Sequence, residues 1–436
     1  MDDGRPAPAR AAVEESGPAM MRLAAELYPI CRSITGEGVR QTLAILQRLV
    51  PLAIRAVPSG TPVLDWTIPK EWTIRAAHVS RLDGTRLIDF ADHTLHIVQY
   101  SRPIDRVVPL AELKEHLHTL PDHPDWIPYR TSYYREDWGF CLAHRRLAEF
   151  TDPAYRVVID TTLEDGHLTY GECLVPGRST EEVLVSCHIC HPSLANDNLA
   201  GIAVATLLAR HVAALAPRLT WRFLFIPGTI GSIAWLAGNE DRLARIRHGL
   251  VLSCLGDAGS LTYKQSRRGT AEIDRFVAHV LRHSGTPYRI MPFVPYGYDE
   301  RQYCSPGFNL PVGCLMRTPN GAYPEYHSSA DDLGLLRADS LADSLAKLQA
   351  VAAIVEGEAR YRSRNPKGEP QLGRRGLYRS TGGTTAGHDE MALLWVLNLA
   401  DGAHSLFDTA ERAGMPFAEI RSAADALIAA GLLEEV

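Results

Sequence analysis

The sequence predicts an α/β protein with a mostly parallel, mixed sheet that carries helices on both faces. From residue 133 onward, short apolar runs of strand length alternate with segments of helical periodicity, and polar residues directly follow several of the runs. The runs fall at residues 183–187, 219–226, 250–255 and 312–316, and the helical segments at 199–215, 273–282 and 341–358. Ligands collect at the carboxyl ends of such strands, so the loops after them are where a site is expected.

Length and composition favour a soluble protein with more than one domain. The chain has 436 residues, of which 46% are hydrophobic and 22% charged, and no apolar run reaches membrane-spanning length. Its net charge of -6 argues against a nucleic-acid-binding surface spread over the whole protein. The polar amino terminus lacks the apolar core of a secretory signal, and the 8 cysteines include no pair of CxxC motifs. These features predict a cytoplasmic protein with reduced thiols.

Changes of composition along the chain predict its domains. We predict a disordered tail, an α/β domain in two segments, a small inserted β-rich domain, a linker and a winged-helix-like domain, at residues 1–17, 18–59 with 131–360, 60–130, 361–387 and 388–436 respectively. Within the α/β domain, strand-like segments at 155–160 and 167–174 flank a turn and favour a hairpin.

The last predicted helix of the winged-helix-like domain is the one that would contact DNA. It covers residues 417–427 and carries Glu419, Arg421 and Asp425. Because such a surface is too acidic for phosphate contact, a packing or dimerisation role is favoured over DNA binding, and a homo-oligomer stays open.

The stretch LVSCHICHPSLANDNLAGIAV, residues 184–204, joins a predicted strand to a predicted helix through a polar loop. His188 ends the strand and Asp197 lies in the loop. An imidazole and a carboxylate at such a turn are usual ligands of a divalent metal. A lone histidine is more often a hydrogen-bonded core or surface residue, and Asp197 alone could be a turn former and helix cap. The metal interpretation therefore depends on ligands from elsewhere in the chain.

Two later segments offer those ligands. Asp257 follows the predicted strand at 250–255, where a carboxylate is costly unless something uses it, although it could also make a turn. His327 lies in the loop PEYHSSADD. Together with His188 and Asp197 these residues predict a mixed nitrogen and oxygen site that suits zinc and, less well, manganese or iron.

This order of residues resembles the zinc aminopeptidases that carry a co-catalytic dizinc site on an α/β sheet. In that family an Asp-Asn-x-x-Gly turn supplies the bridging carboxylate, and the sequence has DNLAG at residues 197–201. The resemblance implies one or two zinc ions, with His188 and Asp257 at the first position, Asp197 bridging and His327 at the second. More closely, CHICHPSLANDNLAG, GYDERQYCSPGFNLPVG, PEYHSSADD and LLWVLNLADG resemble a bacterial family of aminopeptidase-like proteins with an inserted small domain and a winged-helix tail.

The sequence departs from the aminopeptidase pattern at two places. After the strand at 219–226 those enzymes place two adjacent glutamates, a general base and a metal ligand, but here the segment is PGTIGS, with Gly228 and no carboxylate. Cys190 stands where an aspartate usually orients the first histidine. Both departures bear on catalysis.

Three repairs of the site are open. Glu325 or Glu300 could serve as base or ligand, and Glu325 ranks first because it lies two residues from His327 on the same loop. His191 could replace the absent ligand. Alternatively, only one metal binds, held by His188, Asp197 and His327.

The sequence therefore predicts a zinc-dependent hydrolase that cleaves an amide bond near a free end of a small peptide-like or aminoacylated molecule. Arg301 and Arg317 are candidates for binding a substrate carboxylate. No membrane or nucleic-acid partner is expected. The first alternative is a binding or scaffold protein that kept the fold after losing its base, and Gly228 motivates it. The second is a DNA-binding regulator that acts through the winged helix.

Overall fold

The structure is a computed structural model that describes residues 7–377 and 390–436, with side chains from residue 15. The first six residues of the predicted tail and most of the second half of the predicted linker lie outside the described residues. The helices are α1 (Ala7–Leu27), α2 (Glu37–Gln47), α3 (Leu110–Glu115), α4 (Gly201–Ala214), α5 (Ile230–Ala237), α6 (Glu272–Arg282), α7 (Glu300–Tyr303), α8 (Ala338–Gly357), α9 (Glu390–Leu399), α10 (Leu406–Ala413) and α11 (Phe417–Ala429).

The strands are given in chain order. They are β1 (Leu52–Pro58), β2 (Pro62–Val63), β3 (Trp66–Thr67), β4 (Glu71–Ser80), β5 (Arg86–Asp89), β6 (Ile104–Pro109), β7 (Leu117–His118), β8 (Phe140–Cys141), β9 (Ala154–Glu164), β10 (His167–Val175), β11 (Glu182–His188), β12 (Thr220–Ile226), β13 (Ile246–Leu252), β14 (Leu261–Lys264), β15 (Tyr288–Met291), β16 (Val312–Met316), β17 (Arg360–Ser363), β18 (Asp401–Ser405) and β19 (Leu433–Glu435).

The central sheet has eight strands in the order β1-β10-β12-β11-β13-β16-β14-β15. Its middle four strands, β12, β11, β13 and β16, pair in parallel, and antiparallel pairs flank them on both sides. β11 is buried along its whole length, as expected for a parallel strand covered on both faces. The predicted α/β class with a mixed, largely parallel sheet is confirmed, and the carboxyl ends of β11, β12 and β13 meet at one edge.

A second sheet accounts for the β-rich part of the chain. It is antiparallel, with the order β5-β4-β9-β6. β9 belongs to this sheet, whereas β10 pairs with β1 and β12 in the central sheet. The predicted hairpin between these two segments is therefore wrong. Most residues of β10 are buried, which a position inside the central sheet provides and a hairpin with β9 would not.

The chain divides into two compact units, Met1–Asp274 with Pro287–Ala346, and Arg275–Thr286 with Lys347–Val436. The second unit contains helices α9 to α11 and a three-stranded sheet of order β18-β17-β19. In α11, Arg421 pairs with Asp425 and donates to Tyr361 Oη at 3.1 Å, so its charge is already neutralised within the unit. Among the described residues, no helix combines the length and apolar character needed to cross a membrane.

Candidate metal centre

The loop that follows β11 carries a group of potential metal ligands. β11 ends on His188, whose neighbour across the parallel pair is Ile226 at the end of β12. The chain then passes His191 and reaches Asp197 just before α4. Both histidines and the aspartate are buried, with exposed fractions of 0%, 5% and 0% in chain order. The predicted strand, polar loop and helix thus place these side chains at the carboxyl edge of the sheet.

Asp197 is the centre of this group. His188 Nε2 lies 2.7 Å from Asp197 Oδ1, and His191 Nδ1 lies 3.6 Å from the same oxygen. His327 Nε2 lies 3.1 Å from Asp197 Oδ2. One ligand atom from each of His188, His191 and Asp197 falls within 4.8 Å of the others, a spacing that one metal ion can bridge.

The chemistry of this group fits a divalent metal such as zinc. Among the described residues, His191 Nδ1 is buried without a hydrogen-bond partner, which is costly unless a ligand uses it. Burial lowers the pKa of His191 well below its usual value, so the ring is neutral. Burial alone would raise the pKa of Asp197, but the hydrogen bonds from His188 and His327 help to hold it well below its usual range. Neutral imidazoles and an ionised carboxylate are the forms that bind metal.

Asp331 holds the loop that presents Asp197. It is fully buried, and its two oxygens accept hydrogen bonds from Asn196 N at 2.6 Å and Asp197 N at 3.1 Å. Tyr323 Oη also donates to it at 3.1 Å. Burial raises the pKa of Asp331 to about 7. This residue fixes the backbone on which the central ligand sits, a role that the sequence pattern did not single out.

Asp257 is not brought into the group formed by His188 and Asp197. Its Oδ2 accepts from Asn196 Nδ2 at 2.9 Å and Thr318 N at 3.2 Å. Its Oδ1 accepts from Gly259 N at 2.6 Å and from the Thr318 hydroxyl at 2.7 Å. Hydrogen bonds from the protein thus offset the cost of burying this carboxylate. This agrees with the alternative that Asp257 forms a turn.

Arg317 is held by hydrogen bonds within the protein. It is 7% exposed, and all three of its guanidinium nitrogens donate within the protein. The acceptors are Ser344 Oγ, Gly259 O, Ser340 O and Asp343 Oδ2, at 3.1, 2.7, 3.0 and 2.6 Å. This arginine, expected to bind a substrate carboxylate, instead ties α8 to the strand-end loops.

The two predicted catalytic glutamates differ in their surroundings. Glu300 is 1% exposed and forms an ion pair with Lys264, so it is not a free base. Glu325 lines an open cavity of about 410 Å³ together with Trp126, Ser329 and Asp332. Arg301, beside Glu300 on α7, is exposed. Of the three residues, Glu325 alone is a carboxylate that borders a cavity beside the His327 loop.

Tyr298 occupies the space beside Gly228, where the aminopeptidase pattern has a glutamate. Its ring lies 3.8 Å, centroid to centroid, from the ring of His188. Its hydroxyl lies 3.4 Å from His191 Nε2 and 3.3 Å from Cys190 Sγ. Burial raises the pKa of the Cys190 thiol to about 12, so this residue does not supply the missing negative charge.

Asp299 is a further buried carboxylate near the group. Its Oδ1 accepts from Ser232 Oγ at 2.8 Å, while Oδ2 has no hydrogen-bond partner within the described part of the chain. Burial raises its pKa to about 6. Sequence reasoning missed both Tyr298 and Asp299, although they lie in the quoted phrase GYDERQ. The signal available was an acidic and aromatic turn between β15 and α7.

Comparison with known proteins identifies the family. Residues 21–358 match the family described as a domain of unknown function (DUF4910), and residues 359–435 match a winged helix-turn-helix family. A Clostridium acetobutylicum protein, named as a polysaccharide biosynthesis protein with an aminopeptidase-like domain, is 49% identical over 423 residues and covers 97% of both chains. The chain belongs to this aminopeptidase-like family. The predicted membership and the winged-helix tail are thereby confirmed.

Solved structures place the fold of this aminopeptidase-like protein. A crystal structure from C. acetobutylicum, described as a candidate peptidase, has a TM-score of 0.93 at 47% identity and covers 98% of this chain and 99% of its own. A zinc aminopeptidase from Bacillus subtilis has a TM-score of 0.58 at 12% identity and covers 79% of this chain and 94% of its own. At that identity the second likeness shows the fold alone. The family and fold together support a peptidase-type hydrolase.

Proposed function

We propose that the chain is a zinc-dependent hydrolase that cleaves an amide bond in a small peptide-like or aminoacylated molecule. The observation that carries this proposal is the buried group of His188, His191 and Asp197, in which His191 Nδ1 has no partner among the described residues. His327 adjoins Asp197 from the opposite oxygen. The donor set is of the nitrogen and oxygen type that zinc prefers.

The residues of the site have two roles in this proposal, which are metal binding and proton transfer. When bound, zinc supplies polarisation of the scissile carbonyl and lowers the pKa of a water molecule to about 7. Asp197, His188 and His191 would hold the zinc ion. Glu325, two residues from His327 and on the wall of the 410 Å³ cavity, accepts the proton from the attacking water and returns it to the leaving amine.

The test is metal analysis combined with turnover. Protein purified without chelator is expected to contain zinc and to hydrolyse aminoacyl anilides or aminoacylated metabolites. Glu325→Gln should lower the rate by roughly 10²–10⁴-fold at unchanged metal content. Asp332→Asn, which alters another carboxylate of the same cavity, is the matched control and should retain the rate. Absence of metal from the purified protein would contradict the proposal.

A second candidate function is a binding or scaffold protein without turnover. Gly228 favours it, because that strand end offers neither the base nor the ligand of the aminopeptidase pattern. This alternative predicts zinc binding and ligand binding with no hydrolysis of any amide tested. It also predicts that Glu325→Gln leaves ligand affinity and cellular phenotype unchanged.

A further inference from the structure

Gly228 and Tyr298 fit together in a way that excludes any side chain at position 228. A Cβ on Gly228 would lie 1.9 Å from Tyr298 Cε1 and 2.8 Å from both Cδ1 and Cζ. These distances are far below van der Waals contact. While Tyr298 is in place, position 228 can only be glycine.

The turn that presents Tyr298 is anchored independently of the centre. Glu300 accepts from Tyr298 N at 3.1 and 3.2 Å through its two oxygens. Lys264, at the end of β14, forms a buried ion pair with Glu300 and donates to Tyr296 O at 2.8 Å. The backbone that carries Tyr298 is therefore anchored to the sheet through Lys264 and Glu300.

The Tyr298 hydroxyl stands between His191 and Gly228. It lies 3.4 Å from His191 Nε2 and 3.4 Å from Gly228 O. A carbonyl oxygen only accepts, so the hydroxyl donates to Gly228 and its own oxygen is left to accept from His191. Cys190 Sγ also donates to Gly228 O, at 3.6 Å, which the two lone pairs of a carbonyl allow.

This arrangement favours the tautomer of His191 that carries the proton on Nε2. When Nε2–H donates to Tyr298, Nδ1 has a free lone pair. Nδ1 is the atom that lies 3.6 Å from Asp197 Oδ1 and has no hydrogen-bond partner in the described chain. The tautomer and the orientation are those of a metal ligand.

We propose that Gly228 and Tyr298 together replace the missing carboxylate of this strand end by making His191 a metal ligand. Gly228 provides the space and the terminal acceptor, and Tyr298 is the positioning residue that directs His191 Nδ1 to the metal. The inference rests on the metal centre of the proposed function, and it assigns a ligand that the aminopeptidase pattern does not contain.

The experiment measures zinc affinity by competition with a chromophoric chelator, and the visible spectrum of the cobalt-substituted full-length protein. Tyr298→Phe removes only the hydroxyl and should weaken zinc binding by roughly 10–100-fold. His191→Ala should weaken it at least as much, and both variants should change the cobalt spectrum. Tyr303→Phe is the matched control, because that buried hydroxyl contacts Ser186 at 2.9 Å instead of a histidine, and it should change neither quantity.

The double variant His191→Ala/Tyr298→Phe decides how Tyr298 acts. If Tyr298 acts through His191, the double variant binds zinc no more weakly than His191→Ala alone. Additive losses, or wild-type affinity in Tyr298→Phe, would overturn the proposal. Zinc binding by the wild type without hydrolysis would refute the proposed enzyme activity while leaving this inference intact, so the two failures are distinguishable. Circular dichroism and thermal unfolding check that each variant is folded.

Discussion

The two ends of strand β11 carry buried polar clusters of opposite character. At its start, Glu182 accepts from Arg222 Nε and Nη2 at 2.7 and 2.9 Å. The third nitrogen of Arg222 donates to Glu172 at 2.6 Å, and Trp235 Nε1 donates to the same oxygen at 3.2 Å. Every group in this cluster has a partner, so it is complete as a structural network.

At the other end of β11, about 20 Å away, several buried polar atoms lack hydrogen-bond partners among the described residues. His191 Nδ1, Arg32 Nη2 and Asp299 Oδ2 are buried and have no hydrogen-bond partner in the described part of the chain. Arg32 donates its other nitrogens to His191 O and Leu27 O, so it packs directly behind the centre. Native interiors rarely leave buried polar atoms unpaired. The difference between the two ends therefore indicates that the cluster at the carboxyl end of β11 binds a ligand. Four predictions test this contrast.

The largest effect, on zinc binding and hydrolysis, is expected from changes at the carboxyl end of β11. Asp197→Asn should abolish zinc binding and reduce hydrolysis by roughly a thousandfold or more, since the metal supplies several kcal/mol of transition-state stabilisation. Asp257→Asn is the matched control, because Asp257 is satisfied by Thr318 and Gly259 and should retain zinc. Metal content by mass spectrometry and initial rates check both variants. Equal loss of zinc in both would place Asp257 in the centre.

Changes to the cluster at the start of β11 should alter the stability of the protein and leave zinc binding unaffected. Arg222→Met leaves Glu172 and Glu182 buried without their cation and should lower the free energy of unfolding by about 3–5 kcal/mol. Arg75→Met breaks the exposed pair with Asp160 and should leave the free energy of unfolding almost unchanged, because solvent screens exposed ion pairs. Urea unfolding measures both variants. Zinc affinity should be unchanged in folded Arg222→Met, and a weaker affinity would contradict the separation of the two ends.

Zinc binding at the carboxyl end of β11 should stabilise the folded protein. At 100 times its dissociation constant, zinc is expected to raise the free energy of unfolding by about 2.7 kcal/mol, because it binds only the folded state. Differential scanning calorimetry with and without chelator measures the shift. Asp197→Asn should show none, whereas Asp257→Asn should show it in full.

The smallest effect concerns Asp299, whose pKa is raised to about 6 by burial. Ser232, His188, Glu300 and Arg301 surround it. The unfolded carboxyl ionises near 3.8, so its contribution to stability is complete below that pH and is lost as pH rises through about 6.

In metal-free protein, wild type should lose about 2 kcal/mol more than Asp299→Asn between roughly pH 4.5 and pH 7.5. Unfolding free energies at the two pH values check this difference. Parallel pH profiles for the two proteins would show that Asp299 is not held protonated in the folded state.

The sequence was sufficient where the signals are local. The apolar run that becomes β11, the histidine at its end and the DNLAG turn before α4 lie within about twenty residues, and they predicted both the elements and the meeting of His188 with Asp197. His327 also reached the predicted neighbourhood, since its loop follows another parallel strand of the same sheet.

The remainder depended on contacts that no local pattern encodes. Asp257 has the same local signal as a ligand, but Thr318, 61 residues away, satisfies it. Tyr298 lies 70 residues from Gly228, and only the assembled sheet brings them together. A missing glutamate is visible in the sequence, whereas the side chain that fills its place is not.

The fit between Gly228 and Tyr298 also constrains how this site can change over generations. A carboxylate cannot return to position 228 by a single substitution, because its Cβ would meet the ring. Loss of the ring has to come first, and that intermediate would lack both the phenol and the carboxylate. Exchange between the present arrangement and the aminopeptidase arrangement therefore requires coordinated substitutions at positions 228 and 298.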